Sequence, residues 1–285
     1  MKNLLHKNYR KGTKKQLHKY QPKNYRNKKS FFSIITVVKN DDKNIDKTLK
    51  SISKLSFKNY EYIVIDGDSS DETLKKLKKF KRINLLISEK DKSIYHAMNK
   101  GLKHSKGEVV VFVNSGDILT KDSLKIVNKK FIKNKNLNFV FGTVLRNYTV
   151  GKILKYGYNF KKILYNFDFA TSHTTGFFLK NKVYKKLGFY DTQFRCSADY
   201  DMYFRLYKKN YVGDYTGKNE LIGIVASGGF SSKISFIDHI VEEARIRIKN
   251  KQNSLLIFLI FLNALIKGFF KIIIRKLWLK IKLNV

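Results

Sequence analysis

The sequence predicts an α/β fold with a mostly parallel sheet flanked by helices, and three observations carry that expectation. Short β-branched apolar runs alternate with stretches of helical periodicity through the first half of the chain. Residues 109–113, Val-Val-Val-Phe-Val, are apolar without a break and too short for a helix, as befits a strand buried on both faces of a parallel sheet. Each such run ends abruptly in small polar residues, the pattern of strands that open into loops at the carboxyl edge of a sheet, where α/β folds bind ligands.

Taken in order, residues 31–38 read as the first strand, ending at Lys39-Asn40-Asp41-Asp42. Ile45, Leu49, Ile52 and Leu55 recur at helical spacing behind it. Tyr62-Ile63-Val64-Ile65 is the second strand and ends in Asp66-Gly67-Asp68-Ser69-Ser70-Asp71. Ser69 and Glu72 have the spacing of a capping box, and Leu74, Leu77 and Phe80 give the next helix its stripe. Residues 84–88 form a third strand before a helix carrying Ile94, Ala97, Met98 and Leu102. The fourth strand, 109–113, ends at Asn114-Ser115-Gly116-Asp117. Four strands alternating with three helices make right-handed βαβ units, which place Asn40, Asp66, Asp68 and Asp117 on one edge. Further strands are expected at 139–145 and 221–226, with helices near Val183 and over 197–209. One continuous domain is expected from residue 31 to about 250.

Charge is the unusual feature of the composition. The formal net charge is +37, from 59 Lys and Arg against 22 Asp and Glu. Residues 1–30 carry eleven bases, residues 251–285 carry seven, and neither segment has an acid. Such a field suits polyanions, anionic lipid surfaces or anionic small substrates. Residues 1–30 lack apolar periodicity and read as a flexible basic arm. The single cysteine, Cys196, excludes an internal disulfide and fits a reducing compartment.

Five ordered motifs resemble those of glycosyltransferase family 2. They are Ser33-Ile-Ile-Thr-Val-Val-Lys-Asn40, Ile65-Asp-Gly-Asp-Ser-Ser-Asp-Glu-Thr73, residues 88–101 (Ser-Glu-Lys-Asp-Lys-Ser-Ile-Tyr-His-Ala-Met-Asn-Lys-Gly), Asn114-Ser-Gly-Asp117 and Ala198-Asp-Tyr-Asp201. The resemblance implies a GT-A fold with a Rossmann-like sheet, a nucleotide-sugar donor (a UDP-sugar before others), a divalent metal and inversion at the anomeric carbon. A leaving diphosphate gathers negative charge, and Mn²⁺ or Mg²⁺ with hard oxygen ligands would offset it. The resemblance makes Asp117 the metal ligand, with Ser115 standing where the family's Asp-x-Asp motif begins and Asn114 and Ser115 beside the phosphates. The other reading of Asp117 is a cap for the turn before the helix near 121–131.

Inversion needs a base on the face opposite the leaving group. Asp199 occupies the matching position of the family's Glu-Asp motif, with Ala198 where Glu is common; the alternative is that Asp199 and Asp201 cap their own helix. Val37, Val38 and Asn40 are expected at the base, and Asp66 and Asp68 at uracil or ribose, although Gly67 departs from the commoner Asp-Asp-Gly-Ser. Asn99 matches a position near the nucleoside, or else ends its helix before Gly101. His173, in the motif Thr171-Ser-His-Thr-Thr-Gly176, matches an acceptor-side position of the family or else is structural, and Asp201 and Gly229, the last in a Gly-Gly-Phe-Ser-Ser loop, are assigned to the acceptor side or to loop closure.

In the tail, residues 255–262 are apolar, and Asn263, Lys267, Lys271 and Arg275 follow at spacing four. The stretch is short of the roughly 20 apolar residues a span needs. An amphipathic helix at the membrane interface is expected over 251–285, the alternative being a helix packed on the enzyme or on a second subunit. The whole then reads as a glycosyltransferase acting on a lipid-linked or cell-surface glycan at the cytoplasmic face of a membrane. A nucleic-acid-binding protein would explain the charge, but not carboxylates gathered at strand ends, so nucleic acid is not an expected partner. A non-catalytic scaffold of the same fold is the third reading, from Ser115 and Ala198.

Overall fold

The computed structural model describes residues 18–20, 30–148, 151–165, 169–171 and 173–283. The first strand of the sheet is β1 (His18–Tyr20). Then come β2 (Phe32–Val38), α1 (Asp42–Ser53), β3 (Tyr60–Asp66), α2 (Thr73–Lys79), β4 (Leu85–Ser88), α3 (Ile94–His104) and β5 (Val109–Phe112). After them lie β6 (Ile118–Leu119), α4 (Ser123–Lys133), β7 (Phe139–Phe141), β8 (Thr143–Tyr148), β9 (Gly151–Lys155), β10 (Phe177–Lys180) and α5 (Asn181–Leu187). The chain closes with α6 (Ala198–Lys208), β11 (Gly213–Tyr215), β12 (Leu221–Val225), α7 (Phe236–Lys249) and α8 (Ser254–Leu283).

The main sheet has the order β1-β4-β3-β2-β5-β10-β7-β11. Strands β4, β3, β2 and β5 are parallel neighbours, as the βαβ reading requires. Their residues alternate between two apolar clusters. Ile35, Val37, Ile63, Ile65, Val110 and Phe112 pack with α3 and α6, while Ile34, Tyr62, Val64, Val109 and Val111 pack with α1 and α4. Both faces are thus covered, which is why these strands read as unbroken apolar runs.

Three features differ from expectation. Of the arm at 1–30, His18–Tyr20 is a strand paired antiparallel with β4; residues 1–17 and 21–29 lie outside the described residues. The run at 139–145 is two strands in two sheets, because Gly142 lets the chain pass so close to Ile222 that a Cβ would sit 2.7 Å from its Cγ1. β8 then joins the small sheet β6-β12-β8-β9. Finally, Ser69 does not cap α2, whose first amide, Thr73 N, donates instead to Asp71 Oδ1 (3.0 Å).

At the far end, α7 packs on α6 and on α8. Arg247 of α7 is almost fully enclosed and reaches Tyr200 Oη (2.7 Å), Leu164 O (2.9 Å) and Gln252 Oε1 (2.8 Å). Among the described residues no helix is long and apolar enough to cross a membrane.

At the amino edge, Glu61 is 2% exposed and accepts from Ser33 Oγ (2.6 Å), Lys106 N (2.5 Å) and Gly107 N (2.9 Å). Truncation would take the acceptor from the buried Ser33 hydroxyl and from the Lys106 amide, while Gly107 N keeps its bond to Ser33 Oγ (2.8 Å), and a buried donor left without a partner costs on the order of 1–3 kcal/mol. Glu61→Ala is therefore expected to lose about 3 kcal/mol in urea unfolding, and Glu61→Gln clearly less.

Candidate active site

The parallel strands deliver three loops to one edge. After β2, Asn40 takes a left-handed conformation (φ 48°), donates its backbone N–H to Ser69 Oγ (2.8 Å) and accepts from Ser70 N (2.8 Å) through Oδ1. This fastens the first loop to the second. Asp66 ends β3 fully enclosed, its Oδ1 accepting from Ser69 Oγ and its Oδ2 from Ser88 Oγ (2.6 Å) and Ser69 N (3.1 Å). These bonds hold the second loop against β4, and Oδ1 carries a single donor. Asp68 is exposed at φ 63°, free of that constraint. The side chains of Val37 and Val38 are buried in the two core clusters.

The third loop, 114–117, is threaded onto α1 by Thr48. Its hydroxyl accepts from Gly116 N (2.9 Å) and donates to Asp117 O (2.8 Å), and Gly116 sits at φ 89°, where glycine is favoured. Asp117 itself is 4% exposed. Its Oδ2 accepts from Thr175 Oγ1 (2.6 Å) and its Oδ1 from Ala226 N (2.8 Å). Burial pushes its carboxyl up to about 6, against the pull of the Thr175 and Ala226 bonds and of the Arg146 charge.

His173 Nδ1 lies 4.0 Å from Asp117 Oδ2. The pair is not an ion pair, because burial, and then Arg146, lowers the imidazole to about 3 and keeps it neutral. His173 Nδ1 instead accepts from Thr175 N (3.3 Å), heading the turn Thr174–Gly176. The residue assigned to the acceptor side therefore stands beside the candidate metal ligand. Ser172 of the same motif lies outside the described residues. Asn114 Nδ2 donates to Thr174 Oγ1 (3.3 Å), while Asn114 Oδ1 and Ser115 Oγ are buried without a hydrogen-bond partner. Among the described residues no three His, Cys, Asp or Glu side chains converge as a ready metal cage. One carboxylate with unengaged amide and hydroxyl oxygens alongside suits a hard cation that takes its remaining ligands from phosphate and water.

Asp199 lies in the first turn of α6. Its Oδ1 accepts from Tyr200 N (2.9 Å) and, at 3.4 Å, from the Tyr95 hydroxyl of α3. Burial raises its carboxyl to about 6, against those hydrogen bonds and the nearby His239. Tyr200 is in the first turn, so Asp199 satisfies one amide of its own helix, while the N-cap position, Ser197, makes no side-chain capping bond. Glu242 of α7 holds the stretch just ahead of α6, accepting backbone N–H bonds from Arg195, Cys196 (2.9 Å) and Ser197 (3.0 Å). Ala198 is fully enclosed in the core.

Two other candidates turn out to be internal supports. Asn99 grips the Tyr190 backbone with both ends of its amide, Nδ2 to O (2.7 Å) and Oδ1 from N (3.0 Å), and it lies inside α3 rather than at its end. Asp201 is fully enclosed, with Arg205 Nε (2.8 Å) on Oδ2 and Lys249 Nζ (3.2 Å) on Oδ1, and it orients α6 against α7. Gly229 heads an exposed turn through Lys233, whose Ser231 carbonyl lies 3.0 Å from His239 Nε2. Sequence reasoning missed Thr175, Tyr95, Arg146, Glu242 and His239. The first two lie inside motifs that were legible, whereas Glu242 lies beyond them in an ordinary amphipathic helix.

Comparison with known proteins follows the same outline. The model of the family described as "Glycosyl transferase family 2" matches residues 33–198. The Escherichia coli enzyme UDP-Glc:alpha-D-GlcNAc-diphosphoundecaprenol beta-1,3-glucosyltransferase WfgD is 34% identical over 139 residues, 47% of this chain and 53% of WfgD. The chain thus spans about half the length of that relative. Among solved structures, S. aureus TarS 1-349 with UDP-GlcNAc superposes with a TM-score of 0.61 at 18% identity, covering 82% of this chain and 71% of that one. The mannosyltransferase PcManGT from Pyrobaculum calidifontis, with GDP-Man and Mn²⁺, gives 0.59 at 16% identity, covering 83% and 69%.

The Asp117 environment generates a direct test. Thr175→Val keeps the side-chain shape but removes the hydroxyl that favours the ionised carboxylate. NMR titration of the Asp117 carboxyl in metal-free protein is expected to place it above the about 6 of the parent.

Proposed function

The chain belongs to glycosyl transferase family 2 and has the GT-A fold, and from that premise we propose that it moves a sugar from a UDP-sugar to a lipid-linked or surface-glycan acceptor with inversion. The observation that carries this reading is the division of labour between Glu242 and Asp199. Glu242 holds the three amides ahead of α6, and Asp199, bonded to the Tyr200 amide and the Tyr95 hydroxyl through Oδ1 alone, keeps a carboxylate whose proton affinity, raised by burial to about 6, suits a general base.

In the proposed reaction an acceptor oxygen attacks the anomeric carbon as the bond to the diphosphate oxygen breaks. The acceptor proton passes to Asp199 Oδ, and Tyr95, within 3.4 Å, orients that carboxylate. Asp117, with Asn114 and Ser115, would hold Mn²⁺ or Mg²⁺, which supplies positive charge against the leaving diphosphate. Neutral His173 adds no charge of its own to that site. Asn40 and Asp68, the left-handed residues at the ends of the first two loops, flank the place proposed for the nucleoside. Support for the donor and acceptor classes comes from the relatives, one named for UDP-Glc and a diphosphoundecaprenol acceptor and one solved with UDP-GlcNAc.

Asp199→Asn should leave donor affinity nearly unchanged while transfer falls by roughly 10²–10⁴. Parent kcat/KM should fall about tenfold per unit as pH drops below about 6 and level off above it, because only the ionised carboxylate accepts the proton. Near-parental transfer by the folded variant would remove Asp199 from the mechanism.

For the proposed metal site, Asp117→Ala should abolish the Mn²⁺-dependent part of UDP affinity in calorimetry. Affinity that still rises with Mn²⁺ would move the ion elsewhere.

A further inference from the structure

Over residues 255–268 helix α8 is apolar on two opposite sides, and among the described residues only one of them is packed inside the molecule. Ile257, Ile260, Phe261 and Ala264 face Ile240, Ala244 and Arg247 of α7. The same stripe continues to Gly268, where the Phe236 ring comes so close that a Cβ would sit 2.3 Å from its Cε1. Spacings of three, four and seven along α8 give this inner face. A second stripe with the same spacings, Leu255, Phe258, Leu259, Leu262 and Ile266, stands between 42 and 67% exposed. Single exposed apolar residues are ordinary, but a continuous stripe over three turns needs a partner.

Charge identifies that partner. The segment 251–285 carries seven Lys or Arg and no acid. Exposed Lys267 lies one position beyond Ile266, on the side of α8 between the two stripes. Phe236 and Ile237, at the start of α7, are exposed as well. Asp238 is exposed beside Ile237, and Glu243 faces α8 but is paired with Arg247. With Lys267 beside the stripe and bases in excess over the segment, the face fits an anionic bilayer surface: apolar side chains enter the acyl boundary, and Lys and Arg meet phosphate headgroups.

We propose that the outer face of the α7–α8 hairpin is a seat for an anionic lipid bilayer, positioned so that a membrane-borne acceptor is presented to Asp199. The second half of this statement rests on the proposed transfer reaction; the first does not. The connection is one helix thick. On its inner side α7 holds Arg195, Cys196 and Ser197 through Glu242, immediately before Asp199, and on its outer side it carries α8. The tail is therefore not a detachable anchor, and its removal would uncover Ile240 and Ala244 on the helix that steadies α6.

The test uses the full chain and the triple variant Phe258→Ser, Leu259→Ser, Leu262→Ser, whose side chains are exposed and outside the transfer site. Parent protein should co-sediment with phosphatidylglycerol-containing vesicles and much less with phosphatidylcholine alone. The variant should bind the anionic vesicles about a hundredfold more weakly, with unchanged UDP affinity in solution. Equal co-sedimentation of variant and parent overturns the seat. So does analytical ultracentrifugation showing a parent dimer that the variant converts to monomer, because a second copy would then cover the stripe. Absence of UDP binding in both proteins would count against the transfer reaction and leave the vesicle result to stand by itself.

Discussion

The proposed site depends first on how the carboxylate of Asp117 is suspended. Its two oxygens tie the end of β5 to Thr175 on one side and to the amide of Ala226 on the other. Thr48 fixes the main chain of the same residue to α1. A buried carboxylate has a high desolvation cost, and two strong donors offset it only while all three segments stay in register. The same bonds leave lone pairs on both oxygens, so holding the site together and offering a ligand to a cation are compatible duties of one side chain.

A second carboxylate organises the other half. Glu242 gathers three amides ahead of α6, and Asp201 pairs with Arg205 and Lys249 behind them. The chain therefore uses four acids near the site in two ways. Glu242 and Asp201 are bonded through both oxygens to several donors, whereas Asp117 and Asp199 hold fewer bonds, and burial raises each of their carboxyls to about 6. Desolvation without full compensation is what marks these two as the carboxylates proposed to act.

The sheet and its edge were legible because βαβ units impose both a period and a direction on the sequence. Unbroken apolar strands, helical stripes and polar strand ends follow from burial on two faces, and β2 to β5 obey them. What a polar residue does at a strand end was less legible, since that depends on neighbours distant in sequence. Asp66 is turned inward by Ser88, 22 residues away, and Asn99 is taken up by Tyr190, 91 residues away. Nothing in the spacing of their motifs records those partners. Gly142 is a similar case, because its role is set by the approach of Ile222 from another strand.

The antiparallel insertion of β10 between β5 and β7 has a consequence for how the molecule is made. The parallel unit from β2 to β5 draws on residues close in sequence and can collapse early as the chain emerges from the ribosome. Asp117 belongs to that early unit, yet its hydroxyl partner follows 58 residues later and its amide partner 109 residues later. Until β10 and β12 arrive, the carboxylate remains in water, ionised at neutral pH and unable to form the enclosed environment described above. Assembly of the site is therefore a late event of biogenesis, and a nascent chain interrupted before Ala226 would carry a largely folded sheet with no means of building the pocket.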